Sequence, residues 1–146
     1  MDDLTAALVA TGATLAFDAT GGGKLASQIL SCMEAAAAST MEVYNRYGSD
    51  VFKQVYIYGG LDRGPTTLTR NFGFSWSLGG WLLFPFLQKA GMETMGRMRQ
   101  RVQSGLTSTF ASSYKRKVNL EEMLTKEAVT DYRLMKTGEK YLVTPR

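Results

Sequence analysis

The chain has 146 residues, of which 45% are hydrophobic and 21% charged, with a formal net charge of +4. That describes one globular domain with a sizeable core and excludes collagen-like or bulk-disordered chains. A single cysteine, Cys32, excludes an intrachain disulfide framework and Cys-cluster zinc sites, and the absence of histidine excludes Ser-His-Asp and Cys-His catalysis and removes the commonest metal ligand. A reduced, soluble, cytoplasmic α/β protein is the class that fits.

Asp2 or Asp3 can cap a first helix with Leu4, Ala7 and Leu8 on one face, and Gly12 is placed to end it. Ala13 to Phe17 is a nearly continuous apolar run ending at Asp18, which predicts a strand buried on both faces. Ala19 to Gly23 is a flexible connection. Lys24 to Ala38 reads as a helix burying Leu25, Ile29, Met33 and Ala36 or Ala37, with Cys32 an inert buried thiol. Between 39 and 50 the helix either extends or restarts, and Gly48 closes it.

Gln54 to Tyr58 is a second apolar strand, followed at once by Gly59-Gly60. Leu61 to Thr67 is a loop punctuated by Gly64-Pro65. Phe72, Phe74 and Trp76 alternate with Gly73 and Ser75, the period of a strand. Trp81 to Lys89 is an apolar helical stretch, Gly91 interrupts, and Met92 to Leu106 is a longer helix with Met95, Met98, Val102 and Leu106 on one side. The helically spaced Met92, Met95, Met98 and Met123 read as core filler. Thr109 to Val118 predicts a strand, Asn119 caps a short helix, Glu127 to Lys136 is a further helix ended by Gly138, and Tyr141 to Val143 is a last strand. Strands alternate with helices, so the expected fold is α/β with a parallel sheet.

The charge is uneven. Residues 1–88 carry 5 basic and 7 acidic residues, whereas residues 89–146 carry 12 basic and 6 acidic. Nucleic acid is not the expected partner of the basic half. Arg97, Arg99 and Arg101 spread around their helix, Lys115 to Lys117 is a short run, and no recognition motif accompanies them. Nor is a membrane span expected. The start Met1-Asp2-Asp3 is acidic where a secretory signal is basic, and the uncharged stretch 71–88 is interrupted by Asn71, Ser75, Ser77, Pro85 and several glycines. Its lack of charge predicts burial or an interface.

Two strands end in glycine pairs, Phe17-Asp18-Ala19-Thr20-Gly21-Gly22 and Tyr56-Ile57-Tyr58-Gly59-Gly60. In a parallel sheet such ends form a cofactor rim, because ligands lie outside the carboxyl ends of the strands and glycine lets them near the backbone. The same glycines can equally do nothing but turn the chain. Residues 21–26 spell Gly-x-Gly-x-x-Ala, yet the acidic residue expected at the end of the next strand is absent. Gly23-Lys24 is followed by Leu25, where a phosphate loop needs Ser or Thr.

Taken in order, Ala16 to Gly22, Tyr56 to Gly60 and Gly138-Glu139-Lys140-Tyr141-Leu142-Val143-Thr144-Pro145 resemble the carboxyl-terminal part of medium-chain dehydrogenases/reductases. The branch they look most like is the zinc-independent NAD(P)H:quinone oxidoreductases. The resemblance implies a partial Rossmann-like parallel sheet over 1–106, the second half of a nucleotide-binding domain. Residues 107–146 would return toward a GroES-like catalytic domain. It implies a nicotinamide cofactor, NADPH or NADH, held near Asp18, Ala19, Thr20, Gly21, Gly22, Tyr58, Gly59 and Gly60. Phe74, Ser75 and Trp76, in the strand over 72–77, would approach the nicotinamide. The substrate would be a small carbonyl compound or quinone, with no metal. A homodimer would form through 71–88.

The phosphate-binding glycine loop and catalytic domain of that family have no counterpart in these 146 residues. The chain therefore reads as a portion of a longer enzyme, inactive alone, and no catalytic residue carries over. The alternative is a non-enzymatic dimerisation or binding module using the surface of 71–88.

Overall fold

A computed structural model describes residues 1–136 and 138–145. The fold is α/β with parallel strand pairing throughout the described residues, a partial Rossmann-like arrangement. The chain divides into two compact units, Met1–Lys89 and Ala90–Arg146. Among the described residues no helix is long and apolar enough to cross a membrane.

The first unit contains α1 (Asp2–Thr11), β1 (Leu15–Asp18), β2 (Gly21–Gly23), α2 (Leu25–Ala38), β3 (Lys53–Ile57), β4 (Asp62–Thr66) and β5 (Trp76–Gly80). Strands β1, β3 and β5 form a three-stranded sheet in that order, and β2 pairs with β4 in a second, two-stranded one. The register sets Asp18 beside Ile57 and Ile57 beside Gly80. Met1, not an aspartate, occupies the N-cap position of α1 and makes no side-chain cap; Asp2 and Asp3 lie in the first turn, and the helix stops at Gly12 in the left-handed region. That conformation carries little penalty in a residue without Cβ.

Helix α2 covers one face of the sheet. Ala26 and Leu30 pack with Val55 and Phe72, flanked by Ala16, Ile29, Trp76 and Leu78. A second cluster joins Leu8 of α1 to Cys32 and Met33. The buried side of α2 is thus Ala26, Ser27, Leu30, Cys32, Met33 and Glu34; of the expected stripe Met33 is buried and Ile29 and Ala36 pack against the core, whereas Leu25 is exposed. Small residues sit nearest the sheet because they allow the helix backbone a close approach.

Several expectations are corrected. Strand β1 is not buried on both faces: Leu15 is 51% and Phe17 50% exposed. It is an edge strand, and α2 covers only the face that carries Ala16 and Asp18. Residues 39–50 are not helical, and Gly21–Gly23 and Asp62–Thr66 are paired strands rather than connections. The strand expected over 72–77 begins at Trp76, because Gly73 adopts φ 69° and breaks the extended run.

The helix α3 (Leu83–Ser104) is broken at Gly91 (φ 81°, ψ 167°), as the glycine implied. In the second unit β6 (Tyr114–Val118) and β7 (Lys140–Val143) are parallel, joined by α4 (Leu120–Met123) and α5 (Lys126–Tyr132). Asn119 and Glu122 form a reciprocal capping box on α4. The Tyr141 hydroxyl donates to Asp131 (2.7 Å), which also accepts from Lys115 (2.9 Å). The methionine stripe is not core: Met92 is 77% and Met98 38% exposed.

Candidate functional site

Because β1 and β3 are parallel neighbours in register, their carboxyl ends leave the sheet side by side. The Tyr58 N–H donates to the Asp18 carbonyl (3.0 Å) at the last rung. Beyond it the Asp18 side chain folds back on its own chain. Its Oδ1 accepts from the N–H groups of Thr20 (2.7 Å) and Gly21 (3.2 Å). This turn, typical of aspartate, redirects the chain into β2, with Gly21 at φ 83°.

The two glycine segments are then pressed together. A Cβ on Gly21 would stand 2.6 Å from the Gly59 carbonyl oxygen, and one on Gly59 would drive into the backbone of Ala19. Cross-links hold the contact: the Asp62 N–H donates to Thr20 O (2.9 Å), and Thr66 Oγ1 donates to Gly21 O (2.8 Å). Gly21, Gly22 and Gly59 therefore serve chain packing. Gly22 faces the Asp62 carboxylate, whose Cγ would lie 2.7 Å from an added Cβ. A negative group at that position opposes pyrophosphate, in agreement with the failed dinucleotide fingerprint.

Asp18 is 1% exposed, and its Oδ2 has no hydrogen-bond partner among the described residues. Buried carboxylate oxygens are rarely left so. Gly60 is different from the other glycines of the rim: nothing lies within 4 Å of where its Cβ would be, so its backbone is open to an approaching group. Tyr58 is half-exposed beside it. Phe17 stacks on Tyr56 (5.7 Å) and meets Trp81 edge-on (5.8 Å), which places an aromatic surface under the rim.

Asp18, Ala19, Thr20, Gly21, Gly22, Tyr58, Gly59 and Gly60 are thus brought together. Phe74, Ser75 and Trp76 are not. They lie at the amino end of β5, where Trp76 is in register with Lys53 at the start of β3. Phe74 is 80% exposed against Tyr47. The residues that reach the rim from β5 are Gly79, Gly80 and Trp81, with the Trp81 N–H donating to Ile57 O (2.8 Å). Sequence reasoning missed them, although Leu78-Gly79-Gly80 repeats the pattern of Tyr58-Gly59-Gly60, an apolar strand running into a glycine pair.

The rim offers a buried carboxylate acceptor, free peptide groups and an aromatic floor. Such groups are chemically suited to a polar, uncharged ligand end. Among the described residues no cluster of three or more Cys, Asp or Glu is arranged to hold a metal.

No protein-family model matches the chain, and no curated protein matches it in sequence. Among solved structures, that of a candidate NADPH:quinone reductase from Mesorhizobium loti superposes on 99% of this chain with a TM-score of 0.56 and 19% sequence identity. This chain spans 37% of the length of that one. At such identity the likeness is one of fold.

Proposed function

We propose that this chain is the second half of the cofactor domain of a zinc-independent medium-chain dehydrogenase/reductase, resembling the NAD(P)H:quinone oxidoreductases. Residues 1–106 belong to the nucleotide-binding domain, and 107–146 return toward a catalytic domain. The observation that carries the reading is the shared rim of β1 and β3, with the unpaired Oδ2 of Asp18 buried beneath it. Ligands of open parallel sheets lie outside such strand ends. The fold likeness to an NADPH:quinone reductase points the same way.

The cofactor is NADPH or NADH, and the rim fits its nicotinamide-riboside end. Asp18, through its hydrogen bonds from the Thr20 and Gly21 N–H groups, fixes the turn that faces the ribose and carboxamide. Gly60 allows the close approach, and the half-exposed Tyr58 shields it from water. When bound, the cofactor supplies a hydride to a quinone or enone; the chain supplies position. Its 146 residues contain no phosphate-binding glycine loop, so the chain alone turns over no substrate. Strand β5 is a sheet edge within the uncharged stretch 71–88, and a homodimer forms by pairing it with its copy.

NADPH titration, followed by tryptophan fluorescence, tests this reading in the chain itself and in a longer protein that joins it to a glycine-loop segment. Weak binding by the first, with tight binding and quinone-dependent NADPH oxidation by the second, is the expected result. A longer protein that binds no NADPH sinks the reading. The free edge of β5 would then favour a non-enzymatic dimerisation module, which sedimentation would show as a dimer without cofactor.

A further inference from the structure

At the opposite, amino end of the β1-β3-β5 sheet, the first unit carries a cleft of about 570 Å³. Ligand pockets for small molecules fall in this size range. The segments 41–48 and 70–74 form its walls, with Glu34 of α2 behind them. Glu34 is no free anion. Its Oε1 accepts from the Ser49 N–H (2.7 Å), and its Oε2 accepts from Ser49 Oγ (2.7 Å) and Lys53 Nζ (2.5 Å). With that carboxylate neutralised, the remaining charges on the lining are Arg46 and Arg70. Neither makes an ion pair among the described residues.

The rest of the lining suits a ring. Tyr47 and Phe74 meet edge-on at 6.2 Å, and 56% and 80% of their surfaces are left to water. The Arg46 guanidinium lies 4.7 Å from the centre of the Tyr47 ring. Large aromatic side chains exposed together in a concave wall mark a binding surface. The walls are also fixed in advance. A Cβ on Gly48 would stand 2.6 Å from Gly73 Cα and 2.7 Å from Glu34 Oε1, so both loops are seated on the buried ion pair. Arg70 itself is held at φ 56°, a left-handed conformation that glycine or asparagine adopts more readily.

We propose that this cleft binds a small aromatic anion, its ring against Tyr47 and Phe74 and its carboxylate or phosphate paired with Arg46 and Arg70. A guanidinium matches either oxyanion with two parallel hydrogen bonds. Nucleic acid is a poorer occupant, since Met1–Lys89, with 6 basic against 7 acidic residues, is close to neutral and lacks the excess of positive charge that a polyanion needs. The proposal does not depend on cofactor binding at the Asp18 rim.

Amide chemical-shift mapping of the full chain tests it with adenosine 5′-monophosphate and 1-naphthoate, against inorganic phosphate and adenosine as controls. Both aromatic anions should shift the amides of Gly48, Ser49, Asn71 and Gly73, and each control should bind about tenfold more weakly or less. Arg70→Gly removes the charge and suits the backbone. It should raise Kd about tenfold or more while leaving Tm unchanged or higher. Shifts confined to the rim segments 18–22 and 58–60, no shifts at millimolar probe, or an Arg70→Gly variant that binds as before would overturn the proposal. Equal binding of phosphate alone would overturn the role given to the rings.

Discussion

Lys53 is wholly buried, and its Nζ donates to Glu34 Oε2 at 2.5 Å. The pair ties the end of α2 to the first residue of β3, and Lys53 Nζ also reaches Val51 O (2.8 Å) and Ser49 Oγ (3.2 Å). Removing one member leaves the other charge buried without a partner. Glu34→Ala should therefore cost about 3–5 kcal/mol, whereas Glu34→Leu with Lys53→Met should recover most of that. Urea unfolding of the three proteins measures both.

The same pair makes stability depend on acid. Burial raises the Glu34 pKa, but the hydrogen bonds from Lys53 and Ser49 outweigh it and hold the carboxyl below its usual value of 4.5. A carboxyl lowered on folding stabilises the native state above its unfolded pKa, and that contribution is lost as pH falls through the folded value. Melting temperature should fall more steeply below about pH 4.5 in the natural chain than in Glu34→Gln, which has no carboxyl to titrate. Parallel slopes for the two proteins would contradict the assignment.

Gly59 and Gly60 are adjacent yet should respond in opposite ways. Gly59→Ala pushes a methyl group into the Ala19 backbone, and backbone cannot swing aside as a side-chain end can. A loss of about 1–3 kcal/mol is expected. Gly60→Ala meets nothing within 4 Å and should leave thermal unfolding unchanged. If the rim takes a nicotinamide, Gly60→Ala weakens NADPH binding in the longer protein with no change in stability. Calorimetry and titration on the same two variants separate the effects.

What could be read from the residues follows a physical division. Local signals were legible: Gly12 ended α1, Asn119 capped α4, and Gly91 broke α3. So was the parallel α/β class, since apolar runs at Leu15 and Val55 alternate with helical stretches. Signals that depend on what packs where were not. Phe72, Phe74 and Trp76 have the period of a strand, but Gly73 turns the chain, burying Phe72 and leaving Phe74 in solvent. The candidate rim was legible where a strand ran straight into its glycines, as at Asp18 and Tyr58. On β5 the register brings Gly79 and Gly80, rather than Phe74–Trp76, to that end of the sheet. The Glu34–Lys53 pair was invisible, because the 19-residue separation of its members carries no periodic signal.

Asn119 offers a test confined to the second unit. Its side chain accepts from the Glu122 N–H (2.8 Å) while Glu122 Oε2 accepts from the Asn119 N–H (2.9 Å). Helix α4 is four residues long, too short to persist without its cap. Asn119→Ala should destabilise by about 1 kcal/mol, and hydrogen exchange should accelerate at Glu122 and Met123 while Leu30 and Val55 are unaffected.

The face of the sheet opposite α2 gives a prediction about association. Leu15, Phe17 and Tyr58 are each about half exposed there, and β1 is a free edge. Parallel sheets are normally covered on both faces, and an apolar free edge invites pairing with another chain. Replacing Phe17 removes a ring already half in water, so Phe17→Ser should cost less stability than a core truncation such as Leu30→Ala, which would cost about 2–5 kcal/mol. It should nonetheless lower light scattering at high protein concentration and weaken binding of a hydrophobic dye. A variant that aggregates as readily as the natural chain would show that association runs through another surface, and the edge of β5 would be the next to charge with lysine.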